Sequence, residues 1–280
     1  MAQVAIFVHP GRKEAARLAE AATRWLAERG HEAHVYPGAP TDAPARLGPE
    51  VDLAVSLGGD GTMLCTVDRA DGLPVLGVNV GRLGYLTEVD AGELMPALER
   101  FLSRDYQVEE RMTLEVLVDR SGSGGPPVDP YAARVALNEA VVEKTLSGHT
   151  VRIALAIAGR PFITYAADGL LVSTPTGSTD YNLSARGPVA SPSLEALLVT
   201  PVSPHMLFDR ALVLEPSEWL RLQVLEPRPA ALAVDGVQAG TLEPGDAVIC
   251  RAGRQPARLV TFGRRDFHAI LKAKFGLTDR

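Results

Sequence analysis

The sequence predicts an α/β N-terminal domain with a parallel sheet, followed by an all-β, sandwich-like C-terminal domain and a last helix that returns to the first domain. Three observations carry this. Short apolar strands alternate with helical stretches up to about residue 103. From there to about residue 262 the apolar runs are short and are separated by Pro and Gly. An amphipathic segment without an obvious partner closes the chain. The first pattern means βαβ units and a parallel sheet, the second an antiparallel sandwich, and the third a helix in need of a surface.

Val4–Val8 (VAIFV) is a β-branched and apolar run stopped by Pro10. Gly11–Gly30 reads as a helix, with Ala15, Leu18, Ala19, Ala22, Trp25 and Leu26 at helical spacing and Gly30 closing it. Ala33–Tyr36 and Leu53–Leu57 are the next strands, and the latter runs straight into GGDGT. A helix is expected from Thr62 to about Ala70, a strand over Leu73–Val78 and a helix over Glu93–Ser103. Met112–Val118 alternates as a half-buried antiparallel strand does. Ser121–Pro130 (SGSGGPPVDP) is turn-rich and reads as a hairpin tip. Strands follow at Ala133–Val142, Val151–Ala158, Phe162–Ala166 and Gly169–Ser173, with Gly159 and Arg160 in a hairpin turn. Later strands are expected at Leu212–Leu214, Leu220–Leu225, Ala231–Val234, Ala247–Arg251 and Arg258–Phe262. Asp266 is the expected N-cap of the last helix, whose apolar face is Phe267, Ile270, Leu271 and Phe275. There is no internal repeat.

With 46% apolar and 22% charged residues over 280 positions, the chain has a globular composition rather than a disordered one. No apolar run approaches the ~18 residues of a spanning helix. The N-terminus MAQVAIFVHPGRKE has no basic segment followed by an apolar one. The expectation is a soluble cytoplasmic protein that does not engage a membrane. The net charge of −6 argues against a general nucleic-acid binder. An anionic small molecule remains compatible, because backbone amides at helix ends hold phosphate without adding charge. Only four basic residues are lysines, so a cationic clamp is expected from arginine, histidine or metal. Cys65 and Cys250 stand far apart, form no metal-ligand pattern and read as reduced packing residues.

Three clusters carry chemistry. Gly58-Gly59-Asp60-Gly61-Thr62 follows an apolar strand and opens a helix, where free N–H groups and the helix dipole favour phosphate. Three glycines would let the backbone approach a ligand and take positive φ. A carboxylate beside phosphate is electrostatically wrong unless Asp60 binds a cation or takes a proton from an attacking hydroxyl. The bland alternative is a tight turn with Asp60 as N-cap. There is no G-x-x-x-x-G-K-[ST] and no G-x-G-x-x-G after the first strand, which excludes P-loop and ordinary hydride-transfer nucleotide domains. The second cluster is Asp168 to Tyr181, where a strand enters the hydroxyl-rich TPTGST and then a helix start. Such a segment suits the polar edge of a base, ribose or amide, with Tyr181 as a stacking face, or else simply caps a helix. The third is Asn138-Glu139 inside an apolar strand, where adjacent side chains point to opposite faces and one is directed inward. A strand-end position is the alternative. His149 lies in the loop SGHT, and a lone loop histidine is more often solvated than functional.

Taken together, GGDGT at 58–62, GVNVGRLGYL at 77–86, LNE at 137–139, DGLLVSTPTGSTDYNLSARGP at 168–188 and VDG at 234–236 resemble the NAD kinase family in order and spacing. GGDGT also occurs in lipid kinases and phosphofructokinases, and the long DGLLVSTPTGST stretch discriminates. The resemblance implies transfer of the γ-phosphate of ATP, or of polyphosphate, to the 2′-hydroxyl of the adenosine ribose of NAD. It implies residues 1–103 as an ATP-binding domain completed by 263–280, and 104–262 as an NAD-binding domain. Family members are usually homodimers or homotetramers. Asp60 is then the general base, with Gly58, Gly59, Gly61 and Thr62 around phosphate. Asn138 and Glu139 bind the nicotinamide-side ribose and diphosphate, and His149 stands where some relatives place a ligand contact. Asp168, Thr176, Thr179, Asp180, Tyr181, Asn182, Leu183 and Ser184 form the dinucleotide segment, and Asp235 and Gln238 the late element. Asp180 replaces the usual Ala, Ala166 replaces a basic residue of some relatives, and the late element is one residue longer than Asp-Gly-Gln. Mg²⁺, or another divalent cation, arrives with ATP to neutralise the transferring phosphoryl group, and no metal site in the protein is expected. The competing readings are a lipid kinase, for which no basic amphipathic segment is visible, and a catalytically silent dinucleotide sensor, which would not need Asp60.

Overall fold

The computed structural model describes residues 1–39, 46–81, 84–120, 133–263 and 266–277. The expected hairpin tip at Ser121–Pro130, and Arg82 and Leu83 of the GVNVGRLGYL run, lie outside these residues. The chain divides into two compact units: Met1–Arg111 with Ala257–Arg280, and Met112–Pro256.

The first unit runs β1 (Gln3–Val8), α1 (Lys13–Ala27), β2 (Glu32–Pro37), β3 (Leu53–Gly58), α2 (Asp60–Ala70), β4 (Pro74–Asn79), β5 (Val89–Asp90), α3 (Leu94–Leu102) and β6 (Gln107–Arg111). β3 is buried along its whole length because parallel neighbours flank it on both sides, which is why its sequence is a continuous apolar run rather than an alternating one. α1 buries Ala15, Ala19, Ala22 and Leu26 at helical spacing against this sheet.

The second unit is two antiparallel sheets. Its elements are β7 (Leu114–Asp119), β8 (Arg134–Ala136), β9 (Glu139–Lys144), β10 (Val151–Ile157), β11 (Arg160–Ala167), β12 (Gly169–Ser173), a 3₁₀ turn at Thr176–Thr179 and a single helical turn α4 (Tyr181–Ser184). They continue with β13 (Leu197–Val202), β14 (Leu212–Leu214), β15 (Trp219–Leu225), β16 (Ala230–Val234), β17 (Val237–Leu242) and β18 (Ala247–Ala252). One sheet is ordered β11-β10-β15-β18-β7-β8 and the other β14-β13-β12-β9-β16-β17. Their buried faces share one core that includes Leu114, Ile153, Tyr165, Val172, Val199 and Leu222.

The chain then returns to the first unit through β19 (Ala257–Thr261) and α5 (Phe267–Phe275). The first sheet is therefore ordered β2-β1-β3-β4-β19-β6, with β5 pairing β4 beyond β19's end. β19 is parallel to β4 and antiparallel to β6.

Two expectations change here. The division falls at 111/112 and 256/257 rather than at 103/104 and 262/263, because the strand expected at 258–262 hydrogen-bonds to β4 on one side and to β6 on the other instead of joining the sandwich. The single strand expected over Ala133–Val142 is two strands in different sheets, broken at Leu137 and Asn138. β13 carries Pro201, which disguises it in the sequence. The proline is tolerated because β14 pairs only with Leu197–Val199. The cap on α5 is as expected, with the Asp266 carboxylate accepting from the N–H groups of His268 and Ala269. No residue of α5 is fully buried, and Phe275 is 49% exposed.

Candidate active site

Asp60 is the first residue of α2, at the carboxyl edge of the parallel sheet, where α/β proteins bind ligands. Its carboxylate accepts from two backbone amides of the loop after β4: Tyr85 N–H to Oδ2 at 2.9 Å and Leu86 N–H to Oδ1 at 3.0 Å. A Cβ at residue 84 would overlap Asp60 Oδ1 and lie 2.8 Å from Cγ, so Gly84 is required for the loop to come this close. The N-terminus of α2 has no side-chain cap, and the negative charge of Asp60 sits favourably at that end of the helix.

The glycines act differently from the expectation. None of Gly58, Gly59 and Gly61 has positive φ. Gly58 is needed because a Cβ there would collide with Thr62, whereas Gly59 and Gly61 face open space. Thr62 is 2% exposed and packs its methyl group and hydroxyl toward Gly38 and Gly58, inside the turn. The room for a ligand is therefore over residues 59–61.

Two cations border the same turn. The Arg12 guanidinium occupies the space over Gly81, and Lys274 Nζ of α5 lies 3.6 Å from the centroid of the Tyr85 ring. Burial, and secondarily the charge of Asp60, push the Tyr85 phenol above its ordinary pKa. The structure thus adds Gly84, Tyr85, Leu86, Arg12 and Lys274 to the residues read from the sequence. Gly84 and Tyr85 stood inside the GRLGYL run, but only a structure shows that their segment grips Asp60.

In the second unit a different aspartate organises the backbone. Asp235 and Gly236 have φ of 47° and 74° and form the two-residue turn joining β16 to β17, with Val234 paired to Val237. The Asp235 carboxylate accepts from Leu137 N–H (2.8 Å), Asn138 N–H (2.8 Å) and Glu139 N–H (3.0 Å). These three amides are taken out of the sheet ladder, which is why the strand breaks there. The Asn138 side-chain amide donates to Asp180 Oδ2 at 2.7 Å. Gly177 lies directly on the Asn138 backbone, where a Cβ would overlap it.

Glu139 is 4% exposed and its Oε2 has no partner among the described residues. Burial, then Asp180, then Asp235 raise its pKa to about 9, so the side chain is a neutral acid at pH 7. Tyr181 is raised first by burial and then by Glu143, Asp168 and Glu139. Asp168 Oδ1 accepts from Lys144 Nζ at 2.6 Å.

The structure therefore brings together Asn138, Glu139, Asp180, Tyr181 and Asp235. Thr176 and Thr179 are half-buried in the 3₁₀ turn before them, and the hydroxyl of Thr176 has no partner among the described residues. Asn182 is fully buried, donating to Ser178 O and Pro188 O and accepting from Thr200 Oγ1. Leu183 is half-buried and Ser184 exposed. His149 is exposed in loop 145–150, and Gln238 is exposed on β17. The β16–β17 register shifts beside Gln238, Leu232 facing Gly240 and Ala233 facing Gln238.

The comparisons with known proteins place the chain among the nucleotide-dependent kinases, a class of phosphotransferase. Residues 40–106 match the family model of the ATP-NAD kinase N-terminal domain, and residues 137–262 that of the ATP-NAD kinase C-terminal domain. A NAD kinase of Heliobacterium modesticaldum is 41% identical over 98% of both chains, and NAD kinase 2 of Streptomyces coelicolor is 39% identical over 98% of this chain and 94% of its own. The chain belongs to the ATP-NAD kinase family. The same fold is seen in yeast NADH kinase complexed with NADH (TM-score 0.85, 24% identity, 100% of this chain and 89% of that one). It is also seen in an Archaeoglobus fulgidus NAD kinase in complex with ATP (TM-score 0.74, 23% identity, 99% and 100%).

Proposed function

We propose that this chain transfers the γ-phosphate of MgATP to the 2′-hydroxyl of the adenosine ribose of NAD, giving NADP and ADP, with Asp60 as the general base. The observation that carries the assignment of the base is the clamp on its carboxylate. One N–H fixes each oxygen, and each keeps lone-pair capacity for a hydroxyl proton. In the transfer the new bond forms between the 2′-oxygen and Pγ, the Pγ–O bond to ADP breaks, and the hydroxyl proton passes to Asp60. The protein's share is to place the two oxygens in line and accept that proton. Arg12 over Gly81 and Lys274 over the Tyr85 ring are the cations available to the developing charge on this reading.

On this reading the divalent cation arrives with ATP as part of the nucleotide substrate. The neutral Glu139, with Asn138 and Tyr181, offers a donor, an amide and an aromatic face to the dinucleotide. Linear polyphosphate presents the same phosphate chemistry as the ATP tail and is a second candidate donor. As the resemblance implies, a homodimer or homotetramer is the proposed assembly, which light scattering of the purified protein tests.

The deciding assay incubates the protein with NAD and MgATP and reads NADP with an NADP-specific dehydrogenase. Asp60→Asn is expected to lose ~10²–10⁴ in turnover while still binding NAD. A variant with near wild-type turnover would refute the base. The same assay with polyphosphate and with NADH ranks donors and acceptors.

A further inference from the structure

We propose that Lys274 is a positioning residue for phosphoryl transfer, acting through Tyr85 on Asp60. The inference rests on the reading of Asp60 as base, and its argument begins at the other end of the chain.

α5 is loosely seated. Phe267, Ile270 and Leu271 are half-buried and nothing on the helix is fully buried. Against that background one contact is specific: the Lys274 ammonium stands on the face of the Tyr85 ring, 3.6 Å from its centroid. A cation over an aromatic face is held by the ring quadrupole even at an exposed position such as that of Lys274. Tyr85 is no ordinary surface aromatic. Its own N–H is one of the two that grip the Asp60 carboxylate, and the next residue supplies the other. The preceding Gly84 lies so close to Asp60 that its backbone leaves no room for a Cβ. Fixing the Tyr85 ring from above therefore fixes the peptide that orients the base. The clamp places a positive charge beside the loop that receives a phosphate-bearing ligand.

Among the described residues Lys274 makes no ion pair that would hold it elsewhere. Of the other lysines, Lys144 is committed to Asp168. The ordinary alternative is that Lys274 merely complements the dipole at the C-terminal turn of α5, as Lys272 does. That role would contribute to stability and leave turnover alone.

Steady-state kinetics of the full-length chain separate the two. Lys274→Met should lower kcat about tenfold with KM for NAD within about twofold, the signature of an interaction expressed in the transition state. Lys274→Arg, which keeps a cation able to stack on the ring, should recover most of the loss. Lys274→Met combined with Tyr85→Leu should be no slower than the slower single variant, because both break one clamp. A Lys274→Met enzyme within about twofold of wild-type kcat overturns the proposal. So does a loss that Arg does not rescue, or one that adds fully to that of Tyr85→Leu. Should Tyr85→Leu fail to fold, the Arg rescue decides alone. Asp60→Asn is run alongside. Wild-type turnover in that variant refutes the base itself, whereas a dead Asp60→Asn beside a fully active Lys274→Met refutes only the role of Lys274.

Discussion

Asp60 and Asp235 are held by the same chemistry for different ends. Each carboxylate is gripped by backbone amides from a distant segment: two from Tyr85 and Leu86 for Asp60, three from Leu137, Asn138 and Glu139 for Asp235. Asp235 spends most of its acceptor capacity on the chain itself. What it presents are its neighbours: Asn138, outside the sheet ladder and bonded to Asp180, and Glu139 at the start of β9. Asp60 spends half of its capacity and sits beside the open space over Gly59 and Gly61. On the proposed reading, one unit fixes a carboxylate so that it can react, and the other fixes one so that the residues beside it can bind.

The contrast is broken most sharply at Gly84. Gly84→Ala forces a methyl group into the Asp60 carboxylate, and a displacement of that order is expected to cost roughly 10- to 100-fold in kcat. Thermal unfolding should barely move, so equal losses of turnover and stability would contradict the comparison. Asp235→Ala should do the reverse. Three amides lose their acceptor, and the melting temperature should fall by an amount reflecting about 3 kcal/mol or more, with NAD affinity weakened and the Asp60 turn intact. A variant as stable as wild type would show that those amides find other partners.

A third effect is one of pH. Glu139 keeps its proton up to about pH 9 in the fold, against 4.5 as its ordinary value. The folded state therefore binds one more proton than the unfolded chain between those limits, and this contribution to stability is lost as pH rises through that window. Glu139→Gln removes the dependence. The melting temperature of wild type should fall relative to that of the variant between pH 5 and pH 9, and a constant difference would remove the neutral acid from the account.

Much of this was legible in the sequence because its causes are local. The apolar run Leu53–Leu57 ending in GGDGT announced both the buried strand and the turn that presents Asp60. Asp266 announced its helix. What stayed hidden has causes far away along the chain. Nothing within Ala133–Val142 says that the strand breaks at Asn138, since the break is made by a carboxylate at residue 235. Nothing within Arg258–Phe262 says that it joins the first sheet, since its alternation suits either sheet and the choice is made by β4 and β6. The three glycines misled in a related way. They looked like positions of unusual backbone angle, but one makes room for Thr62 and two leave room above the turn. The clamp of Lys274 on Tyr85 had no local sign at all.

The pairing of Arg111 with Ala257 has a consequence for synthesis. On the ribosome, β4 emerges early and must wait, its flank open, while the whole of Met112–Pro256 is translated. The strand that lies between β4 and β6, β19, is made only after that stretch, and α5 follows it. An exposed strand flank is a hazard for association with other nascent chains. A chain released prematurely after Pro256 would hold a complete sandwich and an unfinished sheet. The sheet of the first unit is thus completed by the segment that leads into α5 and Lys274.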